Sequence, residues 1–161
     1  MTRRGCLMTL GAIGIAMGLS APLANAGTPT PSIEIGVIHA QHTDGGGFID
    51  PRLREIEQHM RDEPFVRYNV YRLLDHRRLP LESGKPAALG LVNGRTLKIT
   101  LVESKGSGAD RRFRMRAEIA EPRQEAFLKL LDVTASVDEP FFVGGQSYEG
   151  GTLFLELVLR P

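Results

Sequence analysis

The chain has 161 residues, with 20 lysines and arginines against 19 acidic residues, a single cysteine and no tryptophan. This near-balance of charge lacks the basic excess that non-specific nucleic-acid binding requires. One cysteine excludes an internal disulfide scaffold.

Residues 1–26 read as an export signal. Arg3 and Arg4 give a positive start, Leu7 to Leu19 carries no charge, and Ala24-Asn25-Ala26 is a small-x-small cleavage site. Cleavage near Ala26 leaves Gly27 first and places the protein in the periplasm or outside the cell. The apolar run falls short of the roughly 20 residues that span a bilayer. It also contains Gly11, Gly14 and Gly18. Cys6 follows Arg3, Arg4 and Gly5, not the apolar stretch that precedes a lipid-accepting cysteine. Thr2-Arg3-Arg4-Gly5-Cys6-Leu7 partly matches a twin-arginine signal, so the Sec and twin-arginine routes both remain open.

Residues 27–161 number 135, one domain's worth, with 18 basic and 19 acidic residues and no cysteine. A chain of about 150 residues buries roughly 68–70% of its unfolded surface, so a core forms without disulfides. The mature part has no second apolar stretch of membrane length and no repeat of fixed period. Residues 27–32, Gly-Thr-Pro-Thr-Pro-Ser, form a flexible leader. Residues 33–161 form a single β-rich domain.

Ile33 to Ala40 is a first strand with Ile33, Ile35 and Val37 on one face. Gln41 to Gly47 is a polar, glycine-rich loop. Asp50-Pro51 opens the one clear helix, with aspartate as N-cap and proline at the first helical position. Leu53, Ile56 and Met60 give it a narrow apolar stripe, and Glu63-Pro64 ends it. Phe65 to Leu74 is rich in aromatic and β-branched residues and reads as a strand, followed by a charged connection over Asp75 to Pro86.

Ala87 to Val92 and Arg95 to Val102 flank Asn93-Gly94, the signature of a two-residue hairpin turn with positive φ at both positions. Leu97, Ile99 and Leu101 face inward. Arg112 to Ile119 alternates, with Phe113, Met115, Ala117 and Ile119 on the apolar side. Glu121-Pro122 breaks it, and Phe127 to Val137 continues as a strand. Phe141 to Val143 and Thr152 to Leu159 flank a loop with glycines at 144, 145, 150 and 151. The last strand places Leu153, Leu155, Leu157 and Leu159 on one face and Phe154 and Val158 on the other. Both faces therefore need cover, from a facing sheet and from either the Leu53/Ile56/Met60 stripe or a partner chain. The spacing predicts a mostly β fold: an antiparallel β-sandwich or partly open barrel of seven to eight strands with one short N-terminal helix.

Three features carry candidate chemistry. His39, His42 and Asp44 offer two imidazoles and a carboxylate for a metal, although their spacing matches no established motif. Arg112, Arg114 and Arg116, with Lys98 nearby, form a cationic row suited to phosphate, anionic headgroups or acidic glycan. Tyr148, in the glycine-rich segment Val143 to Gly151, is a ligand-contact candidate; a phosphate cradle is not expected there, because a strand follows instead of a helix. No Gly-x-Ser-x-Gly elbow, Cys/His pair or His-Glu-x-x-His occurs. The lack of tryptophan argues against a module that stacks sugar rings.

Leu73-Leu74, Leu79-Pro80-Leu81-Glu82-Ser83-Gly84-Lys85, Asn93-Gly94-Arg95-Thr96-Leu97, Gly144-Gly145 and Gly150-Gly151-Thr152-Leu153 together resemble a group of small exported bacterial β-rich proteins without an assigned activity. The likeness covers most of residues 33–159 and rests on turns and core positions. It implies export and a β fold, and it carries over no catalytic residue and no cofactor. The leading expectation is a non-enzymatic binding or assembly module, with an envelope or secretion-complex protein as partner. The alternative is a metal-dependent hydrolase built on His39 and His42.

Overall fold

The structure, a computed structural model, describes residues 30–107, 110–123 and 126–161. The expected export signal, residues 1–26, and residues 27–29 of the expected leader lie outside the described residues. Among the described residues nine strands form two separate sheets, which do not close into a barrel. They are β1 (Ser32–Gln41), β2 (Phe48–Ile49), β3 (Val70–Pro80), β4 (Pro86–Gly90), β5 (Thr96–Lys105), β6 (Arg112–Ala120), β7 (Leu128–Ser136), β8 (Pro140–Tyr148) and β9 (Gly151–Arg160). The five-stranded sheet runs β2-β3-β1-β9-β8 and the four-stranded sheet β4-β5-β6-β7. The count exceeds the expected seven to eight because of β2. It is two residues long and pairs parallel with the start of β3, too short to leave a sequence pattern.

Alternation on the central strands builds the main core. Ile33, Ile35 and Val37 of β1 and Leu153, Leu155, Leu157 and Leu159 of β9 meet Leu97, Ile99 and Leu101 of β5 and Phe113, Met115, Ala117 and Ile119 of β6. Successive side chains of a strand point to opposite faces, so the even-numbered residues of β1 and β9 lie on the outer face of the five-stranded sheet. There Ile38, Ala40, Tyr71, Leu73 and Phe154 form a second cluster with Leu53, Ile56, Met60 and Phe65. The Leu53/Ile56/Met60 stripe covers Phe154, and the cover comes from the same chain. Phe154 is 3% exposed and Val158 7%.

The helix is a 3₁₀ helix over Pro51–Arg61, ending two residues before Glu63-Pro64. Asp50 caps it, accepting from the Arg52 backbone N–H at 3.0 Å. Its carboxylate also takes the Arg52 guanidinium (3.0 and 2.7 Å) and the Leu73 backbone N–H at 3.3 Å. Arg52 in turn donates to the Leu73 carbonyl at 2.7 Å. One carboxylate thus ties the start of the helix to β3. The Arg52 side-chain hydrogen bond is the main reason that the Asp50 carboxyl is held well below its ordinary range.

Four local readings change. Phe65–Arg67 is a 3₁₀ turn and not part of a strand; it drives the Phe65 ring into the aromatic cluster, 4.5 Å from the Phe154 centroid. The strand begins at Val70 and runs on through Asp75–Pro80, which read as a connection. Beyond Tyr71, β2 no longer pairs with β3, so β3 becomes the sheet edge, where charged residues deter further pairing.

The Asn93-Gly94 hairpin exists, but its turn is longer than two residues. Leu91 donates to the Arg95 carbonyl and Gly94 to the Leu91 carbonyl, and only Gly94 is left-handed, at φ 79°. That is a turn followed by one left-handed residue, the common three-residue solution. The expected glycine loop after Val143 is mostly strand. Gly145, at φ 104°, is the extra residue of a bulge, and Tyr148 pairs directly with Gly151. Glu149 (φ 41°) and Gly150 (φ 72°) form the two-residue turn with both φ positive.

Candidate functional site

The outer face of the four-stranded sheet is built by the alternation that fills the core. Phe113, Met115, Ala117 and Ile119 point inward, so Arg112, Arg114 and Arg116 must point out, and all three are exposed. Alternate residues on a strand lie about 7 Å apart, which makes the row about 14 Å long. Register then adds neighbours. Lys105 lies beside Arg112, Glu103 beside Arg114, Thr100 beside Arg116, and Lys98 beside Glu118. On the other side Ser136, Thr134, Asp132 and Lys129 flank Arg112, Arg114, Arg116 and Glu118.

Six cations and three carboxylates share this face. The carboxylates are engaged. Asp132 takes Arg114 at 2.9 Å, with Arg116 at 3.6 Å and Lys129 at 3.7 Å. Glu118 pairs with Lys98 at 3.0 Å and Glu103 with Lys105 at 3.2 Å. The hydrogen bond from Arg114 is the largest influence holding the Asp132 carboxyl below its ordinary value, and Asp132 raises Arg114. Arg112 has no ion pair among the described residues. It lines an open cleft with Glu103, Lys105, Arg114 and Thr134. Positive charge is therefore in excess across the face and least neutralised at the Arg112 end.

The sequence row named Arg112, Arg114, Arg116 and Lys98, and the structure brings them to one surface. Lys105, Lys129 and Asp132 were not legible as members. Bulges at Val102 in β5 and at Leu130 in β7 shift the pairing, so counting from the turns misplaces them. Lys98 also sits over the Phe127 ring, 4.0 Å from its centroid, which fixes its stem at the margin.

His39, His42 and Asp44 are not gathered into a centre. His39 is buried on the inner face of β1, with Nε2 3.0 Å from the Tyr148 carbonyl oxygen and its ring edge-on to Tyr148 at 5.3 Å. His42 and Asp44 are exposed in the loop that follows. No group of three or more His, Cys, Asp or Glu side chains among the described residues is arranged to hold a metal ion. Tyr148 sits one residue before the Glu149-Gly150 turn, half-buried against the main core. Burial is the first cause pushing its hydroxyl above the ordinary value.

Sequence reasoning missed a second polar region, on the outer face of the five-stranded sheet beside the helix. Glu34, Gly36, Arg52, Glu55, His76, Glu156 and Arg160 line a small cleft there. Comparison of the chain with protein-family models, with curated proteins and with solved structures finds no match. The function is therefore argued from these surfaces alone.

Proposed function

We propose that the protein is an exported, non-enzymatic β-sandwich binding module of the bacterial envelope, and that it engages anionic ligands through the outer face of its four-stranded sheet. The single observation behind this is the excess of six cations over three carboxylates on one open sheet face, in a chain whose overall charge is close to balance. Arginine's planar fork suits carboxylate and phosphate oxygens. The face is open and polar, and it follows a row of charges along β6. That geometry fits acidic glycan or anionic headgroups better than a small enclosed substrate.

The mature protein, residues 27–161, serves for the test. Retention on immobilised polygalacturonate and sedimentation with phosphatidylglycerol vesicles are measured at graded salt. The R112E/R114E/R116E variant should lose retention on at least one of these. A helix-side control, R54E/R61E, which changes the charge about two thirds as much, should keep it. Equal loss in both variants, or no salt-sensitive retention of the wild type, would overturn the reading.

A further inference from the structure

We infer that the Pro51–Arg61 helix is a clasp that holds the five-stranded sheet most tightly in mild acid and loosens as pH rises above the ordinary carboxylate range, acting through Glu156 of β9. The inference stands apart from the anion-binding face, which lies on the other sheet.

Between Thr152 and Arg160, at the two ends of β9, Glu156 is the one polar residue of the strand. It lies on the helix side, opposite Gly36 of β1. That glycine leaves room for the carboxylate: a Cβ at Gly36 would stand 2.9 Å from Glu156 Oε2. On its other flank Glu156 pairs in register with Phe142 of β8, part of the aromatic cluster under the helix. No hydrogen bond or ion pair to Glu156 is formed among the described residues, whereas nearby acids are satisfied. Glu34 takes Arg160 at 2.8 Å, with Arg78 at 3.8 Å, and Asp138 takes Arg160 at 2.7 Å. Arg52 is committed to Asp50.

The clefts on either side of Glu156 bring every packed element's charges to it. The helix supplies Arg52, Glu55 and His59, β1 supplies Glu34, β3 supplies His76, the β7–β8 turn supplies Asp138, and β9 supplies Arg160. Once the committed pairs are set aside, Glu55 on the helix shares these clefts with Glu156, His59 and His76, and no cation is bound to Glu156 among the described residues. Two like charges across a helix–sheet contact oppose docking, and burial makes the unpaired one costlier.

The direction follows. Burial is the first cause raising the Glu156 carboxyl above its ordinary value; His76 and Arg160 oppose this, and Glu55 and Glu34 reinforce it. A carboxyl raised on folding contributes stability that is complete below its unfolded pKa and lost as pH rises through the folded one. Asp50 behaves oppositely. Its carboxyl is depressed, so its hold on the helix start is present above its unfolded pKa and fails only in strong acid. Between these limits the clasp is tightest. Loosening it uncovers Ile38, Met60, Phe65 and Phe154, the apolar outer face of the sheet.

Hydrogen exchange on the mature protein, corrected for intrinsic chemistry and followed by mass spectrometry between about pH 5 and about pH 8, tests this. Protection of residues 51–61 should fall several-fold toward the alkaline end, while that of β6 stays constant. The E156Q variant, neutral at every pH, should keep its acid-side protection throughout. E55Q, which removes a like charge from the exposed helix side, should weaken the dependence without abolishing it and carries the test if E156Q fails to fold. A pH dependence persisting in E156Q, or one as steep in E55Q as in the wild type, overturns the clasp. Loss of protection in β6 together with the helix does the same.

Discussion

Phe154 is the position at which the packing makes its sharpest demand. Its ring is 3% exposed and lies 4.5 Å from the Phe65 centroid and 5.6 Å from that of Tyr68. It also lies against Gly144, where a Cβ would overlap the ring. An aromatic side chain buries about 150–250 Å², which at about 25 cal/mol per Å² is gross stabilisation of roughly 4–6 kcal/mol. The unfolded chain already hides part of that area, so the figure is an upper one. Core Phe→Ala truncations typically cost about 3–5 kcal/mol, and that range is expected for Phe154→Ala. With a urea m-value of about 2 kcal/mol/M, the midpoint should fall by roughly 1.5–2.5 M. Sedimentation should show no change in association, because the helix and not another chain covers the ring. A midpoint within error of the wild type, or an intact monomer with weakened self-association, would refute helix cover as the source of this burial.

Gly144→Ala should destabilise by about 1–3 kcal/mol, since the added methyl must displace the Phe154 ring; equal denaturation midpoints would show that the ring has room to move. Gly94→Val should lower the urea midpoint, because Gly94 alone in its turn is left-handed, whereas Asn93→Ala should cost less and act through the Asn93–Gln146 hydrogen bond (3.0 Å). Tyr71 donates its hydroxyl to the Phe65 carbonyl at 2.5 Å and, mainly through burial, its pKa is pushed up to about 12. Its contribution to stability should be complete below the ordinary tyrosine value of about 10 and lost as pH rises through about 12. Alkaline difference spectra should then show the last tyrosine ionisation of the wild type missing in Tyr71→Phe.

The parts of the fold legible in the sequence were those set by a local period. Alternation in β5, β6 and β9 gave the inner face residue by residue, and the Leu53/Ile56/Met60 spacing gave the helix face that meets Phe154. The parts that misled were set by partners. Asp75–Arg78 looked like a loop because it is charged, yet it is strand, since β1 pairs with it, and among the described residues no strand pairs with its other edge. Asn93-Gly94 carried the right residues for a two-residue turn, but Leu91 bonds to Arg95 and fixes a longer one. The two-residue turn went to Glu149-Gly150, where the Tyr148–Gly151 pairing demands it. The arginine row was readable by the same alternation. Its neutralising partners were not, because bulges at Val102 and Leu130 decide which acid meets which arginine. The Glu156 cleft left one local trace, a lone acid among the apolar residues of β9, and no sign of its neighbours, which come from β1, β3 and the helix.

The two sheets differ in what they leave open. The five-stranded sheet is apolar on both faces around β1 and β9, and both are covered, one by the other sheet and one by the helix and its aromatic turn. A partner is not needed to hide Phe154, so an open apolar face no longer argues for a binding module. The four-stranded sheet is apolar on one face only, and its outer face is left to charge. Any recognition there must then be electrostatic, which separates it from the fold experimentally. Neighbouring cations about 7 Å apart sit within the Debye length of about 8 Å at physiological ionic strength, and beyond the roughly 3 Å of 1 M salt. Ligand retention should therefore collapse between these two conditions. The urea midpoint, set chiefly by the apolar cores, should move little over the same range. If retention survived 1 M salt, the ligand would have to be held by something other than the Arg112–Arg116 face. If stability collapsed along with it, the ion pairs of that face would be holding the sheet together instead of being free to exchange for a ligand.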